Sequence, residues 1–379
     1  MNPIYLDYNA TTPIDPAVAK AMMPFLQNIF GNPSSTHWYG VEARMAVMDA
    51  RSQVASLLGC TADEIIFTSG GTEANNLALK GLAMARKNRG NHIITSTIEH
   101  PAILKVCEYL ERQGFRISRI PVDRYGFVHP EDVAAAITDE TILISIMLAN
   151  NEVGTIQPLR AITDAAHARG VLVHTDASQA VGKIPVRIAD LGVDMLTIAG
   201  HKIYASKGVG ALFVASGIQL EKQMHGADHE LNRRAGTENV PGIVGLGKAC
   251  EIIETTISQA VVHSRTLRDA LQQGLLAAFP SAVVNGHPQK KLPNTLSISF
   301  PGCRANVILQ NLPGVATSAG AACHATSVTI SEVLTAMGLP PEIAMGTLRL
   351  SVGRFTTRQD VEKALPLLIS AIHQSQEPA

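Results

Sequence analysis

Short runs rich in β-branched residues alternate with helical stretches, and this alternation constrains the fold more than any other feature of the chain. The runs are Ile65–Thr68, Ile93–Ser96, Arg116–Pro121, Ile142–Leu148, Val171–His174, Met195–Ile198 and Ala211–Val214. Between them lie Glu73–Lys87, with Leu77, Leu79, Leu82 and Ala83 as apolar positions, then Pro101–Gln113, Pro130–Ile137 and Leu159–Arg169. Alternation of this kind predicts an α/β domain around a mostly parallel, seven-stranded sheet. Aromatic residues are only 4% of the chain, so the core is built from Ala, Val, Ile and Leu, which suits a sheet covered on both faces. After residue 250 the pattern changes. Pro241–Arg268 reads as one long helix, followed by strands Leu296–Phe300, Gly314–Ser318 and Leu348–Val352 and helices Ser331–Met337 and Arg358–His373. The expected organisation is an N-terminal arm (1–15) packed on the small domain, a large domain (16–250) and a smaller α+β domain (251–379).

At 379 residues, 46% hydrophobic and 17% charged, the chain has ample material for a large core. Lys+Arg number 31 and Asp+Glu 32, a formal charge of −1, so no basic surplus points to nucleic acid. The longest apolar run, near Ile142–Ala149, is far shorter than the roughly 18 residues a membrane helix needs, and no membrane role is expected. The first eight residues lack the basic and apolar regions of a secretory signal, which makes the cytoplasm the expected location. Cysteines stand at 60, 107, 250, 303 and 323, an odd and widely spaced set that speaks against a disulfide framework or a Cys-rich zinc site.

Three segments carry candidate chemistry. Ser69-Gly70-Gly71-Thr72-Glu73 follows a strand and opens a helix; it reads as a phosphate cup or as an ordinary glycine turn. Asp176 lies at the C-terminal end of the apolar strand that starts at Val171; it reads as a ligand-facing acid or as a cap on the next turn. Lys202 follows a second strand through Gly200-His201; it reads as a Schiff-base lysine or as a surface lysine. Taken in order, a phosphate cup, an acid and a lysine are what a pyridoxal phosphate enzyme requires. His225, His229 and Glu230 have zinc-like spacing, but Gly226 argues against the helix that spacing needs, and no metal is expected.

At these residues the chain resembles the pyridoxal-phosphate cysteine desulfurases and selenocysteine lyases of the class V aminotransferase group. The resemblance runs through Tyr5-Leu6-Asp7-Tyr8-Asn9-Ala10-Thr11-Thr12, Gly31–Ser35, Phe67–Asn76, Glu99-His100, Ala149–Gly154 and His174–Gln179. It continues through Gly200-His201-Lys202, Gly236-Thr237-Glu238-Asn239, Gly320-x-x-Cys323 and Arg349–Arg354. It implies a fold-type I transferase binding pyridoxal 5'-phosphate. Lys202 is then expected to hold the cofactor's aldehyde, Asp176 to pair with the pyridinium nitrogen and Gln179 to hydrogen-bond the ring hydroxyl. His100 is expected to stack on the ring and move protons. Gly71, Thr72 and His201 are expected to bind the phosphate, and Thr237 to reach the phosphate of a neighbouring subunit, implying a homodimer. Asn151 is expected to face cofactor and substrate, and Arg349 to hold the substrate carboxylate. The family often has Ser where this chain has Ala199, Gly-Pro where it has Ala205-Ser206, and a glycine triplet where it has Gly226-Ala227-Asp228.

The implied reaction converts L-cysteine or L-selenocysteine to L-alanine, with sulfur or selenium carried on Cys323 and passed to an acceptor protein, as in iron–sulfur cluster assembly. Cys323 sits among small residues, Thr317–Ala325, about ten residues before the next helix, and is expected in a flexible loop. Cys60, Cys107 and Cys250 sit in Ala/Leu/Val-rich stretches and are expected in the core; Cys303 is a loop residue with no clear reading, and His324 reads either as a group that keeps Cys323 ionised or as a solvated loop histidine. The Gly320–His324 stretch is similar to selenocysteine lyases, whereas the loop length up to Glu332 is similar to long-loop desulfurases, so both substrates are expected, selenocysteine faster. The rival readings are a cysteine sulfoxide lyase or aminotransferase of the same fold, and a non-catalytic scaffold.

Overall fold

A computed structural model describes residues 3–319, 321–324 and 327–376, with 321–324 and 327–329 described as backbone only. Its central sheet has seven strands, in the order Ile65–Thr68, Gly210–Val214, Met195–Ala199, Leu172–Asp176, Thr141–Ser145, His92–Ser96 and Arg116–Ile120. All neighbours are parallel except Gly210–Val214, which is antiparallel to the strands on both sides. Adjacent residues of one strand enter opposite cores, as the two-residue period of a pleated strand requires. Ile66, Ile93, Leu143, Met195 and Leu212 pack under Gly71–Ala85 and Pro101–Arg112. Phe67, Ile94, Ile144, Leu196 and Phe213 face the other core, built with Val47, Val54, Leu58, Ile243 and Leu246. Burial on both faces is why these strands read as apolar runs without polar alternation.

Two helices, Pro16–Gln27 and Trp38–Leu58, were not legible as elements in the sequence. The first is capped by Asp15, whose carboxylate accepts the Ala17 N–H, with Pro16 in the first helical turn. The second buries Gly40, Ala43, Val47, Ala50 and Val54, a stripe of mostly small residues that lets the helix carrying Gly247 come close. A Cβ at Gly247 would stand 2.6 Å from the Ala50 Cα, so only glycine permits that approach.

The expected helix Pro241–Arg268 extends over Val240–Ala278. Its first half, to Ile253, belongs to the core beneath the central sheet, and Leu267, Leu271 and Leu275 belong to a second core. The position 250/251 therefore lies within a continuous helix. The second core is covered by a four-stranded antiparallel sheet, ordered Ser318–Ala319, Thr347–Ser351, Thr295–Ser299 and Val283–Asn285. Ile4 and Leu6 reach into this core, and Ile4–Tyr5 pairs in parallel with Val315–Ala316. The expected strand Gly314–Ser318 is thus two strands in different sheets, parted at Thr317. Cys303, unread in the sequence, is buried in the second core.

The segment around Cys323, expected as a flexible loop, pairs as a hairpin. Ala321–His324 pairs antiparallel with Ser327–Ile330, and Cys323 stands opposite Val328. Val328, Thr329 and Ile330 are good strand formers, which explains the pairing. Gly320 and the Cys323 side chain lie outside the described residues. Among the described residues no helix is long and apolar enough to cross a membrane.

Candidate active site

The site is assembled where parallel strands end, the place where open α/β sheets hold ligands. Ile65–Thr68 leads through Ser69-Gly70 into the helix that begins at Gly71. Gly70 adopts φ +152° and ψ −179°, a conformation essentially restricted to glycine. No side chain caps this helix, so its first N–H groups are left for a ligand. A Cβ on Gly71 would come within 3.2 Å of Ser178 Oγ and 3.3 Å of Ala199 Cβ, so the missing side chain keeps the cup open.

Asp176 ends its strand almost fully buried. Its Oδ2 accepts from Asn75 Nδ2 at 2.7 Å and its Oδ1 from the Ser178 N–H at 2.9 Å. Lys202 follows Met195–Ala199 in a single turn, Gly200–Lys202, and its Nζ donates to the carbonyls of Asn9 (2.6 Å) and Ala10 (2.7 Å). Burial, reinforced by the Arg349 charge and opposed by Asp176 and Asp7, lowers the Lys202 pKa to about 8. Its amine is therefore available near neutrality, as a carbonyl-binding lysine needs.

His100 caps the helix Pro101–Arg112, its Nδ1 accepting the Ala102 N–H at 3.1 Å, so the neutral ring carries its proton on Nε2. Burial holds His100 below the ordinary histidine range, with Asp176 opposing and Lys202 reinforcing. His201 is lowered to about 4, by burial first and then by the charge of Lys202. Its Nδ1 lies 3.1 Å from Thr11 Oγ1. Arg349 arrives from the second sheet. Its Nη2 donates to Asp7 Oδ1 (2.8 Å) and its Nη1 to the Asn151 carbonyl (3.2 Å), while Nε is buried without a partner among the described residues.

These groups enclose a cavity of about 320 Å³, within the range of small-molecule sites. Gly71, Thr72, His100, Asn151, Asp176, Gln179, His201, Lys202 and Arg349 all line it. Thr237 does not: it is exposed, outside the cavity of its own chain. Sequence reasoning missed Asn9, Ala10, Asn75 and Ser178 as lining residues, although each stands inside a matched motif. The donor set fits pyridoxal phosphate: an open helix N-terminus for a phosphate, a buried carboxylate for a ring N–H, and a neutralisable lysine for an aldehyde.

Other sequence candidates are placed elsewhere. Glu230 does not join His225 and His229. It accepts from both Arg51 Nη1 (2.6 Å) and Nη2 (2.7 Å) and from the Phe67 N–H (2.8 Å). Cys107 and Cys250 are buried, Cys60 partly so, and burial pushes all three thiols up to about 12, far from the thiolate a nucleophile needs.

The Aminotransferase class-V family matches residues 4–364. Cysteine desulfurase IscS of Methanosarcina thermophila is 46% identical over 367 residues, covering 96% of this chain and 91% of the relative. Cysteine desulfurase 2 of Trichormus variabilis is 45% identical over 370 residues, covering 97% and 92%. Among solved structures, a NifS-like protein superimposes with a TM-score of 0.93 at 38% identity, covering 98% of this chain and all (100%) of its own. A structure described as SspA in complex with cysteine gives 0.83 at 35%, covering 93% and 100%. The chain belongs to the class-V aminotransferase family, among its pyridoxal-phosphate-dependent cysteine desulfurases.

Proposed function

We propose that this chain is a cysteine desulfurase that also accepts L-selenocysteine, releasing L-alanine and passing the chalcogen through Cys323 to an acceptor protein. The observation that carries the reading is the placement of Lys202, its pKa lowered to about 8, in one cavity with Asp176 and Arg349. When bound, pyridoxal phosphate supplies an electron sink for the substrate's α-carbon. In this reading Gly71, Thr72 and His201 hold the phosphate, Asp176 keeps the ring nitrogen protonated, Gln179 meets the ring hydroxyl and His100 covers the ring face. Lys202 would hold the aldehyde, and its free Nζ, neutral near pH 8, would take the substrate's α-proton. Arg349 grips the substrate carboxylate with its planar fork, beside Asn151. The Cys323 thiolate attacks the substrate sulfur or selenium. The carbon–chalcogen bond breaks, a persulfide or its selenium counterpart forms on Cys323, and the three-carbon remainder is protonated to alanine. Cys323, opposite Val328 in its hairpin, belongs in this reading to the small domain (251–379), the other parts being the arm (1–15) and the large domain (16–250).

The reading includes a homodimer. Thr237 is exposed, and its neighbour Glu238 has Oε2 3.9 Å from His229 Nε2, which lies 3.3 Å from Ser34 Oγ, in the stretch bearing Phe30 (76% exposed) and Trp38 (68%). Large exposed apolar side chains grouped in this way mark an interaction face. The acceptor serves iron–sulfur cluster assembly in the cytoplasm. The test is to incubate the holoenzyme separately with cysteine and selenocysteine and measure alanine. Both should yield it, selenocysteine faster, because a selenolate leaves more readily. Cys323→Ala should abolish the cysteine reaction and keep part of the selenocysteine reaction. Equal loss of both would overturn the sulfur-specific role of Cys323, and no alanine from either substrate would overturn the activity.

A further inference from the structure

A second lysine, Lys183, stands behind the site and has no place in the reaction described above. Its Nζ donates to Asn9 Oδ1 at 3.0 Å and to Gln179 Oε1. Both partners are neutral amides. Asn9 is also the residue whose backbone carbonyl receives Lys202 Nζ (2.6 Å) and Gln179 Nε2 (2.9 Å). Asn294 Nδ2 completes the set on Asn9 Oδ1 at 3.0 Å. One asparagine thus ties both lysines and Gln179 together.

The donor and acceptor chemistry leaves Gln179 one orientation. A backbone carbonyl only accepts, so the Gln179 amide must turn its nitrogen toward Asn9. The Lys183 hydrogens then meet the amide oxygen. An ammonium has three hydrogens and an amine two, so Lys183 can serve both oxygens in either protonation state. Of the two Nε2 hydrogens, one goes to Asn9, and the second has no partner among the described residues, although Gln179 lines the cavity.

We propose that Lys183 is a positioning residue that locks the Gln179 amide with its oxygen turned away from the cavity and a free N–H turned toward the hydroxyl oxygen of the cofactor ring. This rests on the reading that Gln179 faces that oxygen. Without Lys183, the amide oxygen loses its partner, and the side chain is free to rotate or to turn that oxygen into the cavity, against another oxygen. The effect is specific to one atom of the cofactor, which makes it separable from a general loosening of the fold.

The experiment compares binding of pyridoxal 5'-phosphate and its 3-deoxy analogue, which lacks the ring hydroxyl, to cofactor-free protein by absorbance titration. The quantity read is the ratio of the two affinities. In Lys183→Met the ratio should fall several-fold, to about ten-fold, the usual worth of one hydrogen bond. Lys183→Ala should do the same and serves where the Met variant is poorly folded. Gln179→Met should lower the ratio alone, and adding Lys183→Met to it should change nothing further. An unchanged ratio in both Lys183 variants, or equal weakening of both ligands, would overturn the positioning role. If Gln179→Met itself leaves the ratio at the wild-type value, the placement of Gln179 against the hydroxyl fails first, and the proposal with it.

Discussion

The lowered pKa of Lys202 can be measured directly, without turnover. A shift from 10.5 to about 8 amounts to about 3 kcal/mol in favour of the neutral amine. At pH 7 about one-tenth of Lys202 would be neutral, against about one in three thousand for an unperturbed lysine, a ratio of ~300. Competitive acetylation of cofactor-free protein with trace anhydride, quantified at Lys202 by peptide mass spectrometry across pH 6–11, reads this population. The midpoint is the quantity to compare, because nucleophilicity itself falls with pKa. The structure also fixes the sign of two substitutions. The Arg349 charge disfavours the ammonium, so Arg349→Met should raise the midpoint above 8. The Asp176 carboxylate favours the ammonium, so Asp176→Asn should lower it. Labelling that climbs with unit slope beyond pH 9.5, or a downward shift in Arg349→Met, would refute the reasoning.

Asn75→Ala removes the side-chain donor to Asp176 Oδ2 and should speed cofactor release about ten-fold or more, followed by loss of visible absorbance on dilution. Co-expression of Lys202→Ala with Thr237→Ala should yield hybrid dimers with one intact site and about half the wild-type turnover; hybrids no better than the parents would contradict a shared phosphate site. Glu230→Ala strands the largely buried Arg51 and should cost about 3–5 kcal/mol in urea unfolding, whereas Glu108→Ala, at the exposed Lys105 pair, should stay within about 0.5 kcal/mol.

Much of the fold was legible because its signals are local. Most central strands announced themselves as short apolar runs bounded by turn residues, and Asp176 and Lys202 were legible because one closes such a run and the other follows one through a glycine turn. The helices Pro16–Gln27 and Trp38–Leu58 are not legible from the sequence because their inward faces are partly Ala, Gly and Met, which carry little contrast against the outer face. The strand expected at Gly314–Ser318 was one run in sequence and two in space. Val315–Ala316 pairs with the N-terminal arm and Ser318–Ala319 with Thr347–Ser351, and the choice of partner is not written into either segment.

Residue types and their order along the chain therefore determined the class of fold, the kind of cofactor and the chemistry of the principal groups. Which groups touch was decided by tertiary structure alone. Lys202 is held by carbonyls of Asn9 and Ala10, 193 and 192 residues away, and Arg349 by Asp7, 342 residues away. Lys183, four residues from Gln179, is joined to Lys202 through Asn9, more than 170 residues away in the chain. The physical reason is that periodicity and turn chemistry act over a few residues, whereas a buried donor takes whichever acceptor the packed chain brings within 3 Å.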